Sequence, residues 1–365
     1  MPFSPRRLAV ALVLSCCALG AVACGGDDDS SEEQPAATKP AGDLESMKTF
    51  LIDHTDRLEQ DAAEIRAAAE DYHVRAEAVD FDYVRLLESD REGVQSFIAE
   101  SQQAFGRANP AYEEMEGVVA GVPSLADYDV IIDAGADGSD PENAVPFSLK
   151  TPAGKTWKQP GNFNHLIETS VYGTEPKWAA KGVEPDLDGD GTVEFGEVLP
   201  DANVLVATAR SFVSYARKSD AAARAWKPNA SDVLTALVVM VPTVEGYFGE
   251  WKSSRAIAGS GTKEKAFVAH SRLIDVHGIL FSLQNVYKGV RPLVARAGTA
   301  QSARIGTALQ QLTRFVDEIY AQEKAGKKFT PKQADLLGGQ AQQRANAIAG
   351  QISQVAGVLG IELQA

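Results

Sequence analysis

Apolar residues recur at helical spacing along almost the whole chain, and nothing else in it competes with that signal. Leu44, Met47, Leu51, Leu58 and Ile65 stand among charged residues at intervals of three, four and seven, which places them on one stripe of a helix running towards Tyr72. Similar runs are expected over Tyr83 to Arg107, Ala111 to Val119, Asp201 to Arg224, Ser231 to Arg255, Lys263 to Ala297, Gln301 to Lys324 and Pro331 to Leu359. Asn109-Pro110 is expected to break or kink the helix it interrupts, because the residue before a proline is pushed out of the α region. No stretch alternates polar and apolar residues long enough to specify a strand. The fold class is therefore all-α, most simply two adjoining helical bundles at 43–173 and 201–365, joined by a linker at 174–200.

The first residues stand outside that pattern. Arg6 and Arg7 precede a short apolar run from Leu8 to Leu19 and a small-residue cleavage site, Ala21-Val-Ala-Cys24, so residues 1–23 read as an export signal. All three cysteines, Cys16, Cys17 and Cys24, lie in or beside it, which leaves no disulfide pair for the fold. Cys24, followed by two glycines and an acidic run, resembles a lipobox cysteine, where lipidation would fix the mature chain to a membrane without a spanning helix. Residues 24–42 are rich in Gly, Asp, Ser, Glu and Pro and read as a lipidated, disordered tether. The expected location is the outer face of the cell membrane.

Removal of 1–23 takes two arginines and no acid, leaving 33 basic against 50 acidic side chains, a net of −17. Such a surface repels nucleic acid and suits a cation. The apolar run Val233 to Val241, stopped by Pro242, is far shorter than the ~20 residues a membrane span requires.

Periodicity fades between Gly121 and Gly161, where prolines and glycines punctuate a long irregular segment of the kind that often carries function. It leads into Phe163-Asn-His-Leu-Ile-Glu168. Three residues apart on a helix, His165 and Glu168 share one face and could share a ligand. Two donors do not make a site, and the upstream candidates for the rest are Glu113 and Glu116 of Tyr112-Glu-Glu-Met-Glu116. The competing reading makes His165 a hydrogen-bonded core histidine and Glu168 a surface acid. Neither the His-Glu-x-x-His pattern of zinc hydrolases nor its inverted form fits, because Leu166 follows His165 and Thr169 stands where the second histidine is needed.

A second motif is more specific. Asp186-Leu-Asp-Gly-Asp-Gly-Thr-Val-Glu-Phe-Gly-Glu197 satisfies each position of an EF-hand-type calcium loop: side-chain oxygens at Asp186, Asp188 and Asp190, the turn glycine Gly191, a backbone carbonyl at Thr192 and a bidentate acid at Glu197. Pro185 and Pro200 bracket it, so the flanking helices of a helix-loop-helix unit are expected to be short or missing, and a lone loop suits a structural clamp better than a sensor.

Taken together, the export signal, Pro110-Ala-Tyr-Glu-Glu-Met-Glu-Gly117, Asn164-His-Leu-Ile-Glu168 and Glu250-Trp-Lys-Ser-Ser-Arg255 resemble the imelysin-like proteins, closest to the EfeO/EfeM-type lipoproteins of bacterial iron uptake. That resemblance implies two helical bundles and a His-x-x-Glu metal motif at His165 and Glu168, with Tyr112, Glu113 and Glu116 on the preceding helix. It also implies iron or another transition metal as the bound ion, and an iron permease or peroxidase as partner. Asn164 stands where the family motif commonly has glycine, and the calcium-type loop is not a usual part of the family. Two alternatives stay open: an imelysin-type metallopeptidase, and a calcium-stabilised interaction module without metal transfer.

Overall fold

Residues 43–259 and 267–364 are described by a computed structural model. The export signal, Cys24 and the tether lie outside the described residues.

Helix α1 (Leu44–Ala78) starts where the Asp43 carboxylate accepts the Ser46 N–H at 3.0 Å. Its buried stripe repeats every seven residues through Leu51, Leu58, Ile65 and Tyr72, the spacing that keeps one seam turned to its neighbours. Those neighbours are α2 (Tyr83–Val119) and α5 (Ala202–Ala225). Truncating a side chain such as Leu51, which is wholly buried, is expected to cost about 2–5 kcal/mol. Tyr72 stacks on Phe97 of α2 with centroids 4.2 Å apart, and its hydroxyl donates to the Pro200 carbonyl at 2.9 Å.

The proline of α2 does not break it. Pro110 cannot donate to the carbonyl one turn back, that of Gly106, and His270 Nε2 donates to that oxygen instead, at 2.9 Å. The non-helical residue of α2 is Asp90, near its start.

After a short α3 (Ala126–Asp129) and a π-helical turn (Val130–Ala134), a small antiparallel hairpin appears that no sequence pattern announced. Its strands are β1 (Ser148–Lys150) and β2 (Thr156–Lys158), three residues each, too short for alternation to be read. Helix α4 (Phe163–Val171) is capped by Asn162, whose side chain accepts the His165 N–H at 2.7 Å. No helix forms between α4 and α5.

The rest is helical: α6 (Ala230–Met240), α7 (Val244–Ser253), α8 (Arg272–Ala297), α9 (Thr299–Lys324) and α10 (Pro331–Leu359). A 3-10 turn at Val241–Thr243 carries Pro242 between α6 and α7. The fold is all-α, with the hairpin as an appendage. Helix α5 packs on α1 and α4, although it follows the 174–200 segment in the chain, while α8 bridges from α2 to α9.

The α2–α8 crossing is close because each helix offers a glycine. A Cβ on Gly278 would sit 2.8 Å from Glu113 Cβ, and one on Gly117 would sit 2.2 Å from Ser282 Oγ. Glu113 is thereby pressed against the backbone of α8, which leads to the site.

A candidate metal centre at the α2–α8 crossing

Glu113 and Glu116 lie three residues apart on α2, so their carboxylates emerge on one face. Asp133 joins them from the π-helical turn, a local widening that recurs at functional sites. One carboxylate oxygen from each of the three lies within 4.8 Å of the other two. Glu113 is 0% and Glu116 4% exposed.

Their partners are few. Glu116 accepts the Tyr247 hydroxyl, which lies 2.8 Å from both of its oxygens. Glu113 Oε1 accepts from Asn109 Nδ2 at 3.1 Å, while its buried Oε2 meets no N–H or hydroxyl donor, and the Glu113 and Glu116 carboxyls share a hydrogen bond when Glu113 is protonated. Asp133 accepts from Asn164 Nδ2 at 2.9 Å. Among the described residues, the cation that meets them is Arg272 at the start of α8, 3.7 Å from Glu113. Its guanidinium is shared with Asp275 at 2.5 Å and Glu250 at 2.7 Å, and it lies against the rings of Tyr247 and Phe267. Asp275 Oδ1 is a second buried orphan.

Among the described residues around this point, five buried acids, Glu113, Glu116, Asp129, Glu168 and Asp275, face one buried arginine, Arg272. An uncompensated buried charge costs several kcal/mol, so the group must hold protons or admit a cation. Burial, reinforced by Asp275 and Glu116, pushes the Glu113 carboxyl well above its ordinary range. Burial likewise raises Glu116 to about 7 against the opposing pull of its hydrogen bonds, and Asp275 to about 6 despite Arg272. Asp129 is raised by burial too and accepts the Tyr112 hydroxyl at 2.8 Å.

The His165-Glu168 pair stands elsewhere on the same wall. Glu168 is 4% exposed, and its carboxylate accepts three consecutive backbone N–H groups: Phe267 at 2.6 Å, Val268 at 2.8 Å and Ala269 at 2.9 Å. Burial raises it to about 7 against those three bonds. It thus fastens the approach to α8 onto α4. The His165 ring is partly exposed and lies beside Gly161, whose added Cβ would stand 3.3 Å from Cδ2. Among the described residues, the three-acid cluster contains Glu113 and Glu116 as expected partners and Asp133 as a newcomer, but neither His165 nor Glu168. Asp133 sits in the aperiodic segment, where the only available hint was an acid following the apolar pair Ile131-Ile132.

An all-carboxylate donor set of this kind suits a hard cation, and the orphaned Glu113 Oε2 is an acceptor with unused capacity. An ion there would be held by Glu113, Glu116 and Asp133, its entry releasing the protons that burial now favours.

At the surface, Asp186, Asp188 and Glu197 form a second group within the same distance limit, as do Asp188, Asp190 and Glu194. The loop is organised by its own backbone: Asp186 accepts from Gly189 N at 2.7 Å and Gly191 N at 3.1 Å, and Glu197 folds back to accept from Leu187, Asp188 and Glu194. Gly191 is left-handed, φ 92°, as the turn position demands. Thr192 donates its N–H and hydroxyl to Asp190. Arg91 and Gln95 of α2 hold the carbonyls of Asp186 and Leu187, and Gln102 donates to Gly196 O at 2.8 Å and to Val171 O, the end of α4, at 2.9 Å.

The imelysin family model, of the peptidase M75 class, matches residues 53–355. The match spans most of the chain, which belongs to that family. No protein of curated function matches it.

Proposed function

We propose that this imelysin-family chain is an exported, lipid-anchored protein that captures a hard metal cation, iron in the reading that the EfeO/EfeM resemblance favours, for a membrane uptake system. One observation carries the reading: three carboxylates meet at a glycine-tightened helix crossing, one of them wholly buried with an orphaned oxygen. Glu113, Glu116 and Asp133 are the capture centre. His165, partly exposed one residue from the asparagine that holds Asp133, supplies the imidazole at its rim. Glu168 keeps the wall closed through its three backbone bonds. Cys24 carries the lipid, and a permease or peroxidase of the uptake system is the partner.

Calcium is proposed as a clamp in the Asp186–Glu197 loop, where Asp188, Asp190 and the Thr192 carbonyl complete the donor set. Docked on α2 and tied through Gln102 to α4, the loop lies where a bound ion would stiffen the wall that carries His165.

The family's peptidase description supports the metallopeptidase alternative, in which the same acids would hold a catalytic ion. Metal analysis of the purified protein decides, with ferric and ferrous iron, zinc, manganese and copper offered separately and peptide hydrolysis followed in parallel. Tight iron binding without hydrolysis is expected. Hydrolysis that depends on the bound metal would replace capture by catalysis. Membrane fractionation of Cys24→Ser tests the anchor, with loss of mature-sized protein from the membrane as the expected result.

A further inference from the structure

A groove of about 430 Å³ opens between the β1–β2 hairpin, the segment around Lys177 to Lys181 and the start of α5. Its charge runs against that of the chain. Residues 144–182 carry five lysines, at 150, 155, 158, 177 and 181, and only two acids, in a protein with 50 acids against 35 basic residues. Lys155, Lys177 and Lys181 line the groove together with Trp157, Phe81 and Tyr83. The one acid on its wall, Asp201, already accepts the Asn203 and Val204 N–H groups as the cap of α5.

The donors there are under-used. Neither Lys155 nor Lys181 has a carboxylate partner among the described residues; Lys155 Nζ lies instead 3.5 Å over the Trp157 ring. Lys177 reaches Asp137 at 3.2 Å. Trp157 packs edge to face on Trp178 with centroids 4.8 Å apart, and both indole N–H groups are buried without an acceptor. Trp178 is 1% exposed. Trp178 thus backs Trp157 from behind the groove, and the start of α5, capped by Asp201, forms part of its wall.

We propose that this groove binds a small organic polycarboxylate. Two ammonium groups without a carboxylate partner, Lys155 and Lys181, and a third shared with Asp137 call for more than one negative charge on one molecule. Aromatic walls call for an organic body rather than a bare inorganic anion, and the volume matches that of small-molecule sites. Lysines, as point charges on flexible stems, suit carboxylates spread over a flexible molecule, whereas arginine forks would have favoured one planar or phosphate group. The inference does not depend on the metal reading, although the groove adjoins the His165 face, since Asp137, the partner of Lys177, stands beside Gly161 with His165.

Calorimetry and tryptophan fluorescence on the purified metal-free protein test the inference with tricarballylate, a tricarboxylate lacking the hydroxyl that makes citrate a strong chelator. Saturable binding with a change in tryptophan emission is expected. The double variant Lys155→Gln/Lys181→Gln should weaken it by at least about tenfold with an unchanged melting temperature, and Trp157→Phe should remove most of the emission change. Absence of binding at millimolar tricarballylate overturns the proposal, as does full affinity in the double variant. Equal affinity for inorganic phosphate would overturn the organic class of ligand.

Discussion

Glu113, Glu116 and Asp133 meet under α8, whereas Asp186, Asp188 and Glu197 meet in a loop near the surface, and their surroundings push Glu113 and Glu116 in the opposite direction to Glu197. In the first cluster burial dominates: reinforced by Asp275 and Glu116 it pushes Glu113 up strongly, and it raises Glu116 to about 7 against the hydrogen bonds from Glu113 and Tyr247 and the charge of Arg272. In the loop burial is the largest single influence on Glu197, but the N–H groups of Glu194, Asp188 and Leu187 together outweigh it and hold the carboxyl low, and Asp190 is held down by Thr192. Glu197 and Asp190 are therefore held in the ionised form by the loop's own N–H and hydroxyl groups. In the buried cluster the protonated forms of Glu113 and Glu116 are favoured instead. Proximity of acids is common to both; what separates them is whether N–H groups or only buried neighbours surround the oxygens.

The largest effect should come from making the buried cluster neutral. Glu113→Gln/Glu116→Gln keeps size and packing but removes two of three anionic donors, so cation affinity should fall at least about a hundredfold. The metal-free melting temperature should hold or rise, since a buried amide avoids the desolvation a carboxylate suffers. His165→Ala should weaken binding less than this pair. If His165→Ala alone matches the double variant in titration calorimetry, the imidazole is a principal ligand and the rim assignment fails.

Next in size is the pH response of the metal-free protein. Glu116 titrates near 4.5 when unfolded and at about 7 when folded, so folding holds its proton and stability from this group is present below about 4.5 and lost as pH rises through about 7. Glu113 and Asp275 act in the same direction. Thermal melts should fall across that window without metal and flatten when the cation is present. A metal-free melting temperature that climbs from pH 5 to 7.5 would show that these acids are ionised and paired in the fold.

Much of the frame could be read in advance because its causes are local. Asp201 caps α5 by accepting two N–H groups, and Pro331 opens α10 behind the Thr330 cap with its reciprocal Gln333 bond. Glu113 and Glu116 were likewise visible in the sequence as candidate donors, in the run Tyr112-Glu-Glu-Met-Glu116. Asp133 was not, since its position depends on a π-helical turn inside an aperiodic segment, and no periodicity marks such a turn. The Glu168 role rests on backbone groups about a hundred residues away in sequence, and the survival of α2 past Pro110 rests on His270, 164 positions from the carbonyl it serves. Local pattern carries no trace of either.

The loop should respond more modestly, and independently. Calcium at a hundredfold excess over its dissociation constant is expected to add about 2.7 kcal/mol of stability. Asp186→Ala or Glu197→Gln should abolish that gain and leave iron binding at the buried cluster intact. A melting temperature indifferent to millimolar calcium would end the clamp proposal, and iron affinity that follows the loop variants would mean that the Gln102 link to α4 couples the two clusters.

The smallest effect tests how Asp133 is held. Asn164, buried at 5% exposure, stands where the family motif commonly has glycine, and its amide donates to Asp133 Oδ1 at 2.9 Å. A hydrogen bond to a charged acceptor is worth about 1.5–3 kcal/mol, and 1.4 kcal/mol is a factor of ten in binding, so Asn164→Gly should weaken cation binding by about tenfold. Asn164→Ala should do the same, because both remove the donor, while Asn164→Asp should do worse by placing a like charge against Asp133. The bundle should stay folded in all three, as α4 keeps its Asn162 cap and its Glu168 anchor. If Asn164→Gly binds as tightly as the parent, the π-helical turn alone positions Asp133. The buried cluster would then, like the surface loop, owe its geometry to backbone conformation rather than to a neighbouring side chain.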